Sequence, residues 1–312
     1  MEDLIIIGGG PAGLTAGMYA ARARLRTRLL EKLAPGGQVL TTDRVENYPG
    51  FPEGVSGFEL IDRMKRQAEA FGLVIESREV SALECTAAEK RVITDQGVLE
   101  ARALILACGA SPRKLGIEGE DLLTGKGVSY CATCDGPFYR DQEVAVVGGG
   151  DTALEEALFL TRFAKKIHLI HRRDELRAIR ILQDRAMADD RIRIVWDTVP
   201  LRIVGQAGVE GIDLKNVRTG EESRLPVQGV FVFVGYTPNS DPARGVLELD
   251  DRGFVLTDND MQTSVPGVFA AGDIRSKLLR QISTAVGEGA TAAFAAERFI
   301  EDLSSSEKKG GA

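Results

Sequence analysis

Cys131-Ala132-Thr133-Cys134-Asp135 is the segment of this chain richest in potential chemistry. Two intervening residues let a pair of cysteine sulfurs come within bonding distance, so C-x-x-C reads as a redox disulfide. Half of a zinc site is the competing reading of the same spacing. No second C-x-x-C is present, and the two histidines, His168 and His171, fall on an expected strand that leads into an arginine cluster, which makes zinc the weaker alternative. Asp135 can serve as a general acid–base toward the thiols or as a turn former ahead of Gly136; the residues alone leave both open.

Two glycine turns supply the other chemistry. Gly8-Gly9-Gly10-Pro11-Ala12-Gly13 follows the apolar run Leu4 to Ile7 and precedes an expected helix from Leu14 to about Arg24, then a strand from Thr27 to Glu31. Gly148-Gly149-Gly150-Asp151-Thr152-Ala153 follows Val144 to Val147, then comes a helix from Leu154 to about Phe163 and a strand from Ile167 to Ile170. In a strand–turn–helix setting such glycines let the backbone approach a pyrophosphate at a helix N-terminus. One such turn is weak evidence; two in matching context point to two dinucleotide sites.

The end of the second strand separates the two ligands. Glu31 stands there in the first unit, where an acid hydrogen-bonds a ribose 2′-hydroxyl. The second unit has His171-Arg172-Arg173 at that place, with Arg177 a turn further on. Guanidinium forks bind a 2′-phosphate bidentately, whereas a carboxylate repels it. The first site is therefore expected to hold an adenine dinucleotide without that phosphate, and the second NADPH. The alternative is that the arginines only decorate a helix N-terminus, where the dipole disfavours cations unless an anion is present.

These motifs must be carried by a duplicated α/β fold. Ala103 to Pro112 and Val230 to Pro238 are both apolar strands that end in glycine and then Ser/Thr-Pro, which marks them as crossing points between domains. We expect two Rossmann-like, three-layer ββα dinucleotide-binding domains, the second inserted into the first: residues 1–112 with 241–312, and residues 113–240. The last helix is expected from Gln281 to Ile300, with Ser304 to Ala312 as a frayed tail. The chain has 312 residues, comfortable for two cores, and its 35 glycines exceed the ~7% of average usage. A hydrophobic fraction of 44% and a charged fraction of 27% exclude wholesale disorder. The net charge of −7 argues against general nucleic-acid binding. No apolar stretch reaches the ~18 residues of a membrane span, so a cytoplasmic protein is expected, with Cys85 and Cys108 as buried free thiols.

Taken with Val45-Glu46-Asn47-Tyr48-Pro49, His171-Arg172-Arg173-Asp174 and Phe269-Ala270-Ala271-Gly272-Asp273, the two glycine turns and the Cys131-to-Gly136 segment resemble the low-molecular-weight, bacterial-type thioredoxin reductases. That family consists of NADPH-dependent flavoprotein disulfide reductases that bind FAD and work as homodimers. The resemblance implies FAD contacts at Gly8, Gly10, Pro11, Ala12, Gly13, Glu31, Lys32, Gly36, Gly37, Gln38, Asn47, Gly272, Asp273, Arg280, Gln281 and Ile282. It implies NADPH contacts at Gly148, Gly150, Asp151, Thr152, Ala153, His171, Arg172, Arg173 and Arg177. A helix opening at Gln281 would direct its N-terminal dipole at the flavin. Cys108 stands where many members have Thr and Asp151 where some have Asn; neither disturbs a chemical role.

The implied reaction passes a hydride from NADPH to FAD, electrons to a Cys131–Cys134 disulfide, and then to thioredoxin by thiol–disulfide exchange. Cys134 would face the flavin, Cys131 would attack the partner, and Asp135 would handle protons. The dithiol and the nicotinamide site share the inserted domain, so the two domains are expected to alternate in orientation. Partner choice is expected on the surface around residues 126–130 and 138–140. Reduction of another redoxin or a small disulfide, or dithiol oxidation by oxygen, are the enzymatic alternatives. A redox-sensing module that holds both cofactors without turnover is the non-enzymatic one.

Overall fold

The computed structural model describes residues 1–41, 45 and 47–310, without the side chains of Thr41, Thr133, Cys134 and residues 306–310. The chain divides into two compact units, Met1–Ser111 with Thr237–Ala312, and Pro112–Tyr236.

The first unit opens with β1 (Glu2–Ile7), α1 (Pro11–Arg22) and β2 (Thr27–Glu31). Leu4 and Ile6 pack into one core cluster and Ile5 and Ile7 into another, so β1 is apolar on both faces. A strand covered on both sides reads as a continuous hydrophobic run, which is why no alternation shows in its sequence. α1 buries Ala12, Gly13, Ala16, Gly17 and Ala20, small residues that let it lie close to its neighbours. It stops at Arg22, short of the expected Arg24, because Arg24 takes φ 60°, in the left-handed region. α2 (Gly57–Ala70) is capped by Ser56, whose Oγ accepts the Glu59 N–H at 3.1 Å. β3 (Val74–Ser77), β4 (Val80–Cys85), β5 (Lys90–Thr94) and β6 (Gly97–Leu106) follow.

β6 is long enough to serve two layers. Its first half pairs antiparallel with β5, and its second half pairs parallel with β1. The sheet order is β3-β2-β1-β6-β5-β4.

After β7 (Ala110–Pro112) the second unit contains α3 (Glu120–Leu123), β8 (Val128–Ser129), α4 (Ala132–Asp135), β9 (Glu143–Gly148), α5 (Asp151–Leu160) and β10 (Lys166–Ile170). α6 (Arg180–Ala188), β11 (Ile192–Val195), β12 (Thr198–Gly205), β13 (Val209–Asn216), β14 (Glu222–Leu225) and β15 (Gly229–Phe233) complete it. Its parallel sheet has the order β11-β10-β9-β15-β8, and β12-β13-β14 form an antiparallel layer. The arrangement repeats that of the first unit: a parallel sheet centred on the strand before the glycine turn, plus an antiparallel layer.

β16 (Tyr236–Pro238) returns the chain to the first unit, where β17 (Val268–Ala270) pairs parallel with β6 and α7 (Ile282–Gly310) ends the fold. The return falls at Tyr236, ahead of the expected residue 240. Local bonding gives the reason: Asn239 Nδ2 donates to the Cys108 carbonyl at 2.8 Å, and Ser240 Oγ donates to the Gly253 carbonyl at 2.7 Å. The tail also departs from expectation. α7 runs helically to Gly310 instead of fraying at Ser304, whose Oγ donates to the Ile300 carbonyl at 2.9 Å and accepts from Arg102 at 2.8 Å. Among the described residues, no helix is long and apolar enough to cross a membrane.

Candidate functional site

The first glycine turn is made by close backbone approach. A Cβ on Gly13 would stand 1.8 Å from the Gly8 carbonyl oxygen, so α1 can sit on its own turn only if residue 13 is glycine. Gly8 itself has φ 106° and lies against the Ala107 carbonyl. Glu31, at the end of β2, accepts the Gly9 N–H on Oε2 at 2.8 Å and the Leu33 N–H on Oε1 at 3.0 Å. With Gly8, Lys32, Arg78, Cys108 and Asp241 it lines a cleft of about 280 Å³. Burial, with the Glu31 carboxylate as a lesser cause, pushes the Cys108 thiol up to about 12, so it is a protonated, inert wall of this cleft.

Residues distant in sequence converge on this turn. The Gly36 N–H donates to the Gly9 carbonyl at 2.8 Å, and Gln38 Nε2 donates to the Ala110 carbonyl. Asn47 Nδ2 donates to Gln281 Oε1 at 3.0 Å, joining the first loop to the residue that precedes α7 and its first member, Ile282. A Cβ on Gly272 would touch the Ala12 side chain at 3.0 Å, which places the end of β17 against the start of α1. Glu46 lies outside the described residues.

Below Gly272 is a charge cluster that sequence reading missed. Glu288 of α7 accepts the Gly272 N–H at 2.7 Å and ion-pairs with Arg275 at 3.0 Å and Lys277 at 3.2 Å. Lys277 Nζ also lies 3.2 Å from Asp273 Oδ1, without hydrogen-bond geometry, so that buried oxygen keeps its accepting capacity. Burial raises the Asp273 carboxyl above its ordinary value, and the Lys277 charge only partly offsets it. Arg280 stacks its guanidinium 4.0 Å from the centre of the Phe254 ring, and burial lowers its proton affinity.

Three contacts tie the second turn to the arginine loop, and a fourth lies within that loop. His171 Nδ1 faces the Gly148 carbonyl and Nε2 the Glu175 carbonyl, each at 3.0 Å. The Arg177 N–H donates to the Gly149 carbonyl at 2.8 Å, and the Ile179 N–H donates to Asp151 Oδ1 at 2.7 Å. His171 is only 4% exposed, so it lies beneath the cleft as a brace, and Asp151 is engaged in the same bracing. Burial lowers the His171 pKa, against the pull of the two carbonyls. Arg172, Arg173 and Arg177 are exposed and form no ion pair among the described residues. Asp174, which could have competed for them, lies 3.8 Å from Arg218 instead. Gly150, Asp151, Thr152, Ala153, Arg177 and Tyr130 contribute to the lining of a cleft of about 120 Å³.

The redox segment belongs to the same unit. Cys131 is disulfide-bonded, whereas Cys85 and Cys108 are free. The Cys134 side chain lies outside the described residues. Ser129 Oγ accepts the Cys131 N–H at 3.0 Å, and the Ala132 N–H donates to Glu156 Oε2 at 3.1 Å, so α4 starts on a carboxylate carried by α5. Asp135 is half-buried; its negative charge, after burial, raises the Tyr139 hydroxyl. Of the surface expected to choose the partner, Phe138 is 76% exposed, but Val128 and Ser129 are buried in β8 and Tyr130 is turned inward. Among the described residues, no three His, Cys, Asp or Glu side chains are grouped to hold a metal.

Comparison with known proteins fits this arrangement. A family model described as pyridine nucleotide-disulphide oxidoreductase matches residues 2–289. A thioredoxin reductase of Mycolicibacterium smegmatis is 49% identical over 97% of both chains. The chain belongs to the thioredoxin reductase family. A bifunctional thioredoxin reductase/thioredoxin of Mycobacterium leprae is 47% identical over 97% of this chain and 66% of that relative. The crystal structure of Lactococcus lactis thioredoxin reductase superposes with a TM-score of 0.87 at 44% identity, over 97% of this chain and 100% of that one. A thioredoxin reductase implies FAD and NADPH, and both clefts pass a physical test for them. Gly10 and Gly150 head α1 and α5 without a side-chain cap, and a Cβ on either would meet nothing within 4 Å. Two helix N-termini with free amides facing open space suit two pyrophosphates. The accepting oxygen of Asp273 suits a polyhydroxyl chain such as the ribityl group of FAD.

Proposed function

We propose that this thioredoxin reductase holds FAD in the first unit, through Gly8 to Gly13, Glu31, residues 36–38, Asn47, Asp273 and residues 280–282, and NADPH in the second, through residues 150–153, Arg172, Arg173 and Arg177. His171 acts in that second site as a brace. The observation that carries the reading is a disulfide-bonded Cys131 at the head of a helix pinned by α5, the helix that also opens on the second glycine turn.

Bound NADPH and FAD would supply the hydride donor and the two-electron acceptor that the side chains lack. The protein's own part is thiol–disulfide exchange. The Cys131 thiolate attacks one sulfur of the thioredoxin disulfide and releases the other as a thiolate; Cys134 then attacks Cys131, leaving reduced thioredoxin and a Cys131–Cys134 disulfide. Asp135, next to Cys134 and with its N–H bonded to the Cys131 carbonyl at 3.2 Å, is the residue we assign to exchange protons with these sulfurs. The exposed Phe138 is the apolar element of the partner-facing surface. The cysteines and the dinucleotide cleft share one unit while the FAD groups lie in the other, so turnover requires the units to present dithiol and nicotinamide in turn. The relative that carries both names, reductase and thioredoxin, supports thioredoxin as the substrate. A homodimer in the cytoplasm, where a dithiol of this kind meets reducing partners, completes the proposal.

The test is an anaerobic titration of the purified protein with NADPH, followed by addition of thioredoxin, with flavin absorbance as the signal. The expected sequence is bleaching, then recovery. A protein without flavin contradicts the whole reading, and bleaching without recovery contradicts the substrate. Cys131→Ser is expected to bleach normally and to lose thioredoxin turnover.

A further inference from the structure

Tyr130 stands directly before Cys131 and is half-buried, with its hydroxyl directed into the protein. Its hydroxyl donates to Glu120 Oε1 at 2.8 Å. Glu120 is 1% exposed and carries two further donors: the Leu115 N–H on Oε1 at 2.8 Å and the Gly116 N–H on Oε2 at 2.7 Å. A buried carboxylate with three donors is fully engaged and does not move easily, so it is a firm anchor for the phenol. Burial and this carboxylate together raise the Tyr130 hydroxyl above the usual tyrosine range, which keeps it protonated and donating. The ring meanwhile forms a wall of the cleft in front of residues 150–153.

Sheet order tells which half of the cleft it walls. β9, with its glycine turn, is central; β10, which leads into the arginine loop, lies on one side, and β15 then β8 lie on the other. Residues 232–236, the end of β15 and the segment after it, line the cleft, and Tyr130 follows β8. A dinucleotide with its phosphates at the central turn and its 2′-phosphate at the arginines must send its other end toward β15 and β8.

We propose that Tyr130, held by Glu120, is a positioning residue for the nicotinamide half of NADPH: an aromatic wall tethered beneath the segment that carries Cys131. Its hydroxyl is committed to Glu120, so it acts through shape and rigidity and not as a donor to the ligand. This rests on the second cleft being the NADPH site.

The test is calorimetric binding of NADP⁺ and of adenosine 2′,5′-bisphosphate, which has the 2′-phosphate but no nicotinamide, to the full-length, flavin-loaded protein. Tyr130→Leu is expected to weaken NADP⁺ about tenfold and to leave the bisphosphate within about twofold of wild type. Tyr130→Phe keeps the ring and cuts the tether; a smaller loss, about threefold and again confined to NADP⁺, is expected, so the inference stays testable if the leucine variant fails to fold. Equal weakening of both ligands, or of neither, overturns the positioning role. Failure of the wild-type protein to bind either ligand overturns instead the assignment of the cleft to NADPH.

Discussion

The imidazole of His171 occupies the volume that any side chain at residue 149 would need: a Cβ on Gly149 would lie 2.2 Å from His171 Nδ1. The second glycine turn is thus shaped by the histidine that braces it. Gly149→Ala is expected to displace the ring from both the Gly148 and Glu175 carbonyls. Overpacking of this kind costs about 1–3 kcal/mol. The variant should melt earlier and bind NADP⁺ more weakly while its flavin content is unchanged; an unaltered NADP⁺ affinity would contradict the bracing role.

The same histidine should make stability depend on pH. Burial lowers its folded pKa below the ordinary ~6.5, so between those two values the unfolded chain binds more protons than the folded one. The stabilising effect of a neutral His171 is therefore complete above about pH 6.5 and is lost as pH falls below it. Melting temperatures of wild type and His171→Gln, followed from pH 7.5 to pH 5.5, should converge as the medium becomes more acidic. A constant gap would mean that His171 has the same proton affinity in the folded and unfolded chains, against the lowering that its burial requires.

Coenzyme choice should reside in the exposed arginines. Each charge-assisted bond to a phosphate contributes about 1.5–3 kcal/mol. Arg172→Gln and Arg173→Gln should each reduce the kcat/KM preference for NADPH over NADH by about tenfold or more, mostly through KM. Equal loss with both coenzymes would indicate a structural effect.

Glu288 should matter for stability. It joins the Gly272 amide to Arg275 and Lys277, all with little exposure, and removing one partner of such a cluster leaves buried cations uncompensated. Glu288→Gln is expected to lower unfolding free energy by about 3 kcal/mol and to weaken flavin retention, as read from the denaturant midpoint and from the flavin-to-protein absorbance ratio. A variant as stable as wild type, with full flavin, would show that the cluster is dispensable.

Much of the site was legible because its chemistry is local. Gly8 to Gly13, Gly148 to Ala153, Glu31 against Arg172 and Arg173, and Cys131-x-x-Cys134 each carry their expected role within a few residues, since a tight turn, a strand end or a short loop is fixed by its own backbone. The duplicated order of strand, turn, helix and strand also announced two nested units.

Tertiary structure decided what depends on residues far apart in the chain. Sequence placed His171 among the ligand contacts; folding put it under the turn, with both ring nitrogens on backbone carbonyls. It placed residues 126–130 on the partner-facing surface; folding drew Tyr130 inward to a carboxylate ten positions earlier. Glu120, Glu156 and Glu288 gave no signal at all, because an isolated glutamate on a helix reads as solvent-facing until its burial and its donors are known. The turns and the cysteine pair were written in the sequence, whereas the buried carboxylates and the imidazole that hold them in place were set by long-range packing, in which a polar side chain goes where its hydrogen bonds can be satisfied.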